Sequence, residues 1–255
     1  MPHHKLWIQR GVLPCTLLAA CTAWATPPST PATSAAAAWR MQVTPYVWAL
    51  GLKSTLGLAP NLPNVQVSQS FSDVLSDLKA AAFLNATARQ GRYVLQADAS
   101  YASLSRNALL PPGLPVRAKL QQSSLTLTGG YQWELSADDH LDLMAGLRAW
   151  HLRAQVQAAP LLSARLSESF VDPIVAARWR HAWSSQWSTL VYADAGGWSV
   201  GSKRTWQLLA TANYQWNEQL YFSVGYRRLY VDYRDGGQRV AAHLAGPVLG
   251  ATWRF

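Results

Sequence analysis

Residues 205–216 read TWQLLATANYQW, and this stretch decides the fold class. Every second side chain is apolar or aromatic, and most of those between are hydroxyl or amide groups. Successive side chains of a β-strand point to opposite faces, so a period of two predicts a strand with one apolar and one polar face. The polar face carries Gln, Thr and Asn instead of Lys and Glu, which favours the lumen of a membrane barrel over a soluble surface.

Segments of the same kind recur after residue 39; in 93–106, for example, Tyr93 and Leu95 alternate with Gln96 and Asp98. Between them lie short connections at 90–92, 136–140, 184–186 and 217–219, and longer ones at 51–79, 107–116, 158–170, 200–204 and 235–239. Alternating short turns and long loops are typical of outer-membrane barrels. We therefore predict an all-β fold, a closed antiparallel transmembrane barrel over 39–255. Its ten strands lie at about 39–50, 80–90, 92–106, 117–133, 141–157, 171–183, 188–199, 205–216, 220–234 and 240–255.

Other strand numbers are alternatives. A barrel of eight strands would leave long loops, and one of twelve would need 65–70 and a further segment as strands. A soluble β-sandwich with a Trp-rich core is the alternative fold.

Aromatic residues gather at both ends of the predicted strands. One set lies near the short turns, at Trp133, Trp183, Trp187, Trp216 and Tyr221. A second set lies at the opposite strand ends, at Trp48, Tyr101, Trp150, Trp198, Trp206 and Tyr230. Two aromatic girdles flank the apolar band of a membrane barrel, so this distribution favours the barrel.

The first 25 residues carry the features of an export signal. Lys5 and Arg10 precede the apolar stretch 12–20, and the end of the segment, 23–25, has the small-x-small pattern that signal peptidase cuts. We expect cleavage after Ala25; the alternative is lipidation of Cys21, because LAAC at 18–21 resembles a lipobox. Both cysteines, Cys15 and Cys21, lie in this segment, so the mature chain would hold no disulfide. The uncharged Pro, Ser, Thr and Ala residues of 26–38 predict a flexible linker.

The last strand carries a second export feature. Trp253 and Phe255 alternate with polar residues, and the chain stops at Phe255. A final strand of this kind resembles the C-terminal signature of Gram-negative outer-membrane barrels. That resemblance implies recognition of Trp253 and Phe255 by the barrel-assembly machinery.

The charge balance bears on partners. The chain has 22 Lys and Arg against 13 Asp and Glu, and the excess stays basic without Lys5 and Arg10. The arginines are scattered among strands, and an exported protein rarely meets nucleic acid, so we exclude nucleic acid as a partner. Outer-membrane lipids and anionic lipopolysaccharide are the expected partners of the surface charge. The sequence does not indicate an oligomeric state.

Several stretches resemble a family of uncharacterised proteobacterial outer-membrane barrels related loosely to the OmpW and OmpX types. They are TPYVW at 44–48, FSDVLSDL at 71–78, DAGGW at 194–198, GYR at 225–227 and GPVLG at 246–250. The resemblance implies an outer-membrane barrel and carries no catalytic residue or substrate.

The segment 71–78 predicts one helical turn inside the first long connection. Ser72 and Asp73 would cap it, and Leu75 and Leu78 would share one face. We interpret it as a loop helix on the rim of the barrel, with a small plug or outer lid as the alternative.

Motifs for catalysis and cofactors are missing from the sequence. The mature histidines form no cluster with carboxylates at metal-ligand spacing, and there is no Gly-x-Ser-x-Gly elbow or phosphate-cradling loop. Asp138 and Asp139 are adjacent carboxylates, but they fall on a predicted periplasmic turn, where we expect them to form the turn. We predict a protein that is not an enzyme and has no cofactor or metal.

Charged residues on the predicted inward faces are the candidate functional group. Alternation points Arg89 inward together with Asp98, Asp142, Arg148, Arg178, Arg180, Asp194 and Arg227. They could line a constriction that selects a solute. They could also neutralise one another as a salt-bridged plug, which we favour because ten strands enclose little free space.

Three function classes follow. We favour a non-catalytic barrel with a filled lumen and a structural or surface role in the envelope. A narrow channel or carrier for small or apolar solutes is the alternative, followed by a barrel enzyme that acts on lipopolysaccharide or peptides.

Overall fold

The computed structural model describes residues 38–57, 65–110, 114–158, 162–235 and 238–255. The predicted signal peptide, its cleavage after Ala25 and the alternative lipidation at Cys21 lie outside these residues. So does the predicted linker, apart from its last residue.

The chain forms twelve described strands and one short helix. In order they are β1 Arg40–Trp48, β2 Gly51–Gly57, β3 Val65–Gln69, α1 Phe71–Asp77, β4 Leu78–Gln90, β5 Tyr93–Leu110, β6 Leu114–Glu134, β7 Asp139–Ala158, β8 Leu162–Ala182, β9 Trp187–Gly196, β10 Arg204–Gln215, β11 Leu220–Asp235 and β12 Gln238–Arg254. The helix is far too short to cross a membrane, and no helix in the described ranges is long and apolar enough to do so.

Ten of the strands close into an antiparallel barrel, as the sequence predicts. The ring runs β1-β4-β5-β6-β7-β8-β9-β10-β11-β12 and returns to β1. Val43 of β1 shows the closure, since it faces Ala86 of β4 on one side and Trp253 of β12 on the other. Closure matters because it pairs backbone groups that an open sheet would leave free, here between Arg40–Pro45 of β1 and Leu84–Arg89 of β4. Closer to the loop end, residues 78–83 of β4 pair only with β5 among the described strands.

Strand β2 continues β1 and pairs with the same neighbouring strand, β12. Trp48 pairs with Val248 and Gly51 with Ala245, so the register against β12 is unchanged across the break. The break faces Pro247, which has no backbone N–H to donate to the ladder. Strand β3 pairs with β2 beyond the ring, so the segment 65–70 does form a strand without making a twelve-stranded barrel.

Two of the predicted loop boundaries were wrong. Residues 162–170 were expected in a loop, but they form the first half of β8, paired with β7 from Leu162 opposite Ala158. Strand β5 likewise runs on to Leu110, paired with Leu114 of β6. The extension of β8 carries Arg165, Ser167 and Ser169 on its outward face, so apolar alternation could not reveal it.

The barrel has two distinct ends. The turn end carries the connections 91–92, 135–138, 183–186 and 216–219 and the described chain ends, and the loop end carries the other connections. Large apolar side chains are exposed on the outside, for example Leu95, Leu127, Leu147, Val175, Val224 and Leu249, whereas Asp98, Arg148, Arg178 and Arg227 are buried inside. This inversion of ordinary burial is what a lipid-facing barrel requires.

Some of the predicted aromatic girdle lies inside the barrel. Trp48 is 5% exposed, Trp150 is 3% exposed and Tyr221 is 8% exposed, because each occupies an inward position of its strand. Trp133, Trp183, Trp187 and Trp216 at the turn end are exposed as expected, as is Trp198 at the loop end.

Helix α1 anchors the first connection to the loop end. Its cap is Ser70 and not Ser72, because the Ser70 hydroxyl accepts from the Asp73 amide at 3.3 Å and the Asp73 carboxylate accepts from the Ser70 amide at 3.0 Å. Val74 is 4% exposed and belongs to a buried apolar cluster inside the barrel. The helix therefore packs inward at the rim.

Candidate functional site in the barrel lumen

The first group of predicted lumen charges is a pair that joins β7 to β9. The Arg148 guanidinium donates to both carboxylate oxygens of Asp194, at 3.1 Å and 2.5 Å. Its Nε donates to Thr126 at 2.9 Å and its Nη1 also donates to Thr205 at 3.3 Å. Arg148 is 1% exposed, so this bidentate pair is fully removed from solvent.

The second group spans the ring between β5 and β11. Arg227 donates from Nη2 to Asp98 at 2.9 Å and to Gln207 at 2.6 Å, and from Nη1 to the Tyr46 hydroxyl. The Tyr46 hydroxyl in turn donates to Asp98 at 3.2 Å, and Asn85 donates to the same carboxylate at 3.3 Å. Asp98 is thus surrounded by donors.

The third group lies nearer the turn end. Asp142 of β7 accepts from both Nη atoms of Arg89, at 3.0 Å and 2.7 Å, and from Nε of Arg178 at 2.8 Å. Arg178 also donates from Nη1 to Thr87 at 3.2 Å and to Gln96 at 2.8 Å. Its Nη2 is buried and has no hydrogen-bond partner among the described atoms.

Arg180 stands apart from these pairs. In the described part of the chain no carboxylate lies within 4.0 Å of its guanidinium. It lies beside the charges of Arg89 and Arg254, and all three line one cavity.

Above the ion pairs, the loop-end half of the lumen is apolar. Its cluster comprises Trp48, Leu50, Leu52, Val74, Trp150, Phe170, Leu229, Val231, Tyr233, Val240, Leu244 and Val248. The Phe170 and Tyr233 rings stack with centroids 4.2 Å apart, although β8 and β11 are three strands apart in the ring. Side chains from opposite parts of the wall therefore meet here.

A buried carboxylate lies at the edge of this cluster. Asp172 is 0% exposed and accepts from the Trp150 indole at 3.1 Å and from the Ser202 amide and hydroxyl at 2.5 and 2.9 Å. The connection 197–203 thus turns inward at the loop end. Alternation would have placed Asp172 inward, but the sequence analysis did not single it out.

The turn-end half contains a cavity of about 170 Å³. Its lining includes Arg89, Arg178, Arg180, Arg227 and Arg254, with Asp98 as the one lining carboxylate in the described ranges. Arg254 was missed, although it alternates with Trp253 and so falls on the inward face. Its guanidinium stacks on the Tyr221 ring at 3.7 Å.

The remaining predicted residues lie outside the lumen. Asp139 accepts from the Ser136 hydroxyl at 2.8 Å and Asp138 donates its amide to the same hydroxyl at 3.3 Å, so both form the turn before β7. Trp253 and Phe255 are exposed on the outer wall, 49% and 77% respectively.

Features of an enzyme are sparse in the described residues. No group of three or more His, Cys, Asp or Glu there could hold a metal ion. Nδ1 of His151 lies 2.7 Å from the Ser169 hydroxyl on the outer wall, a cross-strand pair without a carboxylate bonded to the imidazole in that part of the chain. A serine nucleophile normally needs such a third group.

The closed ring, the exposed apolar wall and the charged interior define the class, a membrane-spanning antiparallel β-barrel. No family model and no curated protein matches the sequence. The structure is similar to that of the outer membrane protease OmpT from Escherichia coli, with a TM-score of 0.54 and 10% identity over 85% of this chain and 96% of that one. The translocator domain of the autotransporter NalP from Neisseria meningitidis gives a TM-score of 0.42, with 11% identity over 85% of this chain and 88% of that one. Neisserial surface protein A gives a TM-score of 0.38, with 11% identity over 85% of this chain and 97% of that one. At this identity the likeness to OmpT shows the fold alone.

Proposed function

We propose that this chain is an integral, non-catalytic protein of the bacterial outer membrane, with a lumen that does not conduct and a structural or surface role in the envelope. The turn end then faces the periplasm and the loop end faces outward, as in other outer-membrane barrels. The observation that carries the proposal is the filling of the lumen by side chains that meet across it.

The polar layer reaches nearly across the barrel. Strands β5 and β11 are four apart in the ring of ten, where five is the largest possible separation, and Asp98 and Arg227 join them directly. Arg178 of β8 bonds Thr87 of β4, again four strands apart. A guanidinium that bonds the opposite wall narrows the lumen at its own level, which supports a lumen that does not conduct.

The apolar cluster acts as a second barrier. It lies at the loop-end side of the same lumen and includes the stacked rings of Phe170 and Tyr233 and the inward face of α1 at Val74. An apolar constriction excludes ions because dewetting is favourable there. Two barriers of different chemistry in series favour a closed barrel over a channel.

The outer wall supports a position in an asymmetric membrane. On three neighbouring strands the outward apolar surface ends at one row, formed by Leu125, Ala149 and Val171, and the next outward row is Ser123, His151 and Ser169. From Leu141 to Ala149 the β7 wall rises by roughly 20 Å, close to the height of the apolar band of such barrels.

A basic face lies directly above that row. It consists of Arg117, Lys119, Arg153 and Arg165, all exposed on the outward side of β6, β7 and β8. These four residues lie in successive cross-strand rows, and diagonal neighbours on adjacent strands are roughly 7–8 Å apart. The described outward positions of this face above the row carry no carboxylate, so the face suits the phosphates of lipopolysaccharide.

The resemblance to the OmpW and OmpX types forms part of this proposal. Two of the stretches that carry it, 44–48 and 246–250, pair with each other where β1 closes against β12. The feature that this chain would share with the OmpW and OmpX types is therefore the part of the wall where the first and last strands close the barrel.

Planar-bilayer recording tests the closed lumen. We expect the folded wild-type barrel to show conductance near zero. A steady, anion-selective open current would overturn the proposal and support the narrow channel or carrier instead.

Lipopolysaccharide binding tests the basic face. Arg153→Gln should weaken retention of lipopolysaccharide by the detergent-solubilised barrel about fivefold, since a basic group near a lipid surface contributes about 1 kcal/mol. Arg92→Gln is the matched control, because Arg92 is also an exposed arginine but lies at the turn end. Equal retention by both variants would contradict the assignment of this face.

A further inference from the structure

The geometry points to a second property, which the envelope role does not require: the turn-end cavity binds a compact oxyanion with two or more negative charges, of the size of phosphate or pyrophosphate. The charge of the lining, a buried guanidinium nitrogen without a partner among the described residues and the size of the cavity support this site.

The lining has a strong positive excess. Five arginines and one aspartate line the cavity, a difference of +4. The one carboxylate, Asp98, is already paired with Arg227 at 2.9 Å and accepts from Tyr46 and Asn85 as well. It therefore offers little repulsion to an entering anion. Among the described carboxylates, only Asp142 forms ion pairs with any of the other four arginines, and it bonds Arg89 and Arg178.

Arg178 carries the most specific part of the argument. Its side chain is 5% exposed, and three of its contacts fix the guanidinium: Asp142 at Nε, and Thr87 and Gln96 at Nη1. Its Nη2 is buried without a partner among the described residues, and the side chain lines the cavity. A buried donor without a partner is costly, and an anionic oxygen would satisfy it.

Arg180 and Arg254 supply further donors on the same cavity. No described carboxylate lies within salt-bridge distance of either group. Arg254 is held against the Tyr221 ring, which leaves the edge of its guanidinium available for hydrogen bonds. Donors on β8 and β12 would thus approach a ligand from different sides, which suits an anion with several acceptor oxygens.

Hydroxyl and amide groups complete the lining. They include Thr44, Ser188, Thr211, Asn213, Ser223 and Thr252. Thr211 and Ser223 already donate to the amide oxygen of Asn213, at 3.1 and 2.7 Å, and Thr44 and Thr252 bond each other at 2.7 Å. The Ser188 hydroxyl and the second amide N–H of Asn213 are among the neutral donors left for a ligand.

The shape makes the cavity a pocket that is closed toward the loop end. Its lining runs from Arg254 and Tyr221 near the turn end to Arg227 and Val248, and Val248 also belongs to the apolar cluster. A volume of about 170 Å³ is similar to that of cavities of roughly 150 Å³ that take up benzene. A nucleic acid or a protein segment is too large, whereas phosphate and pyrophosphate fit.

Isothermal titration calorimetry on the full chain, folded in detergent micelles and dialysed free of oxyanions, tests the site. We expect saturable binding of inorganic phosphate and pyrophosphate. The double variant Arg180→Gln, Arg254→Gln should weaken this binding at least tenfold, because each charge-assisted hydrogen bond to an anion is strong. The matched control is Arg92→Gln, Arg228→Gln, which removes two exposed arginines outside the cavity and should bind like the wild type.

The outcomes are distinct. Three results would overturn the site: no saturable binding by the wild type, an equal loss of affinity in both double variants, or equally strong competition by chloride. Each double variant is first checked for the compact, unboiled form in detergent gels, so that a misfolded sample is not counted. Because this experiment measures no current, its failure would leave the closed-lumen proposal standing, and a measured current would not by itself remove the site.

Discussion

Replacing Asp194 by Ala is the sharpest test of how the lumen is held together. In the wild type this carboxylate accepts hydrogen bonds from both Nη atoms of Arg148, at 3.1 Å and 2.5 Å. The variant leaves Arg148, which is 1% exposed, as a buried cation without its counter-ion. Breaking one side of a buried pair costs about 3–5 kcal/mol, because the remaining charge stays desolvated.

The local contacts place the expected loss at the lower end of that range. Arg148 keeps its bonds to Thr126 at 2.9 Å and Thr205 at 3.3 Å and stays 5.9 Å from the centre of the Trp150 ring. We therefore expect the free energy of unfolding to fall by about 3 kcal/mol. Urea titration of the barrel in lipid vesicles, followed by tryptophan fluorescence and by the gel mobility of unboiled samples, measures it.

Two further variants separate charge burial from general damage. Arg234→Ala removes the exposed partner of Asp232; the two groups lie 3.1 Å apart, and the Arg234 side chain is 45% exposed. Because an exposed ion pair contributes little, this variant should leave the unfolding midpoint unchanged. Arg148→Met combined with Asp194→Leu removes both buried charges and should recover much of the stability that Asp194→Ala loses. A loss below about 1 kcal/mol for Asp194→Ala, as for an exposed pair, would refute the reasoning.

The remaining predictions concern location and assembly. The wild-type protein should appear in the outer-membrane fraction and should migrate faster unboiled than boiled, because closed barrels resist unfolding by detergent; a periplasmic protein without a mobility shift would contradict the location. Deletion of Phe255 should sharply lower the amount of this compact form while export to the periplasm continues, since it would remove the predicted C-terminal assembly signal and it removes two backbone bonds to Met41. Trp216→Ala, which also removes an exposed ring near the turn end, is the control, and an equal effect of both changes would show that Phe255 acts only as a lipid-facing side chain.

The wall of the barrel could be predicted because its signal is local. A period of two in 205–216 places Trp206 and Leu208 outward and Gln207 and Thr211 inward, and the structure shows this arrangement. The same rule turned the lumen charges inward on every strand where they were proposed. Strand ends were harder, because the outer half of β8 lies beyond the apolar band and carries Arg165, Ser167 and Ser169 on its outward face.

The partners within the lumen could not be predicted from this period. Which charge meets which depends on the stagger of the strands and on which strands face each other across the ring, and these are properties of the closed barrel. Asp98 and Arg227 are 129 residues apart in sequence, and Arg178 and Thr87 are 91 apart. Tyr46 was overlooked because it is aromatic, although its hydroxyl joins Asp98 and Arg227 in one network.

The change of the inward face along the barrel axis underlies both the proposed closed lumen and the turn-end cavity. Near the turn end, the inward side chains include the five arginines of the cavity, with a small apolar cluster around Met144 and Tyr192. Near the loop end, the inward side chains are mostly large and apolar and pack together. Trp48 and Trp150 were assigned to an outer girdle because they lie at strand ends, although alternation places Trp150 on the same inward face as Arg148. Arg227 lies at the boundary, with its guanidinium 4.7 Å from the centre of the Trp48 ring and bonded to Asp98. The layer proposed to close the lumen is therefore also the roof of the cavity, and a substitution that opens the lumen at Arg227 should alter the proposed anion pocket as well.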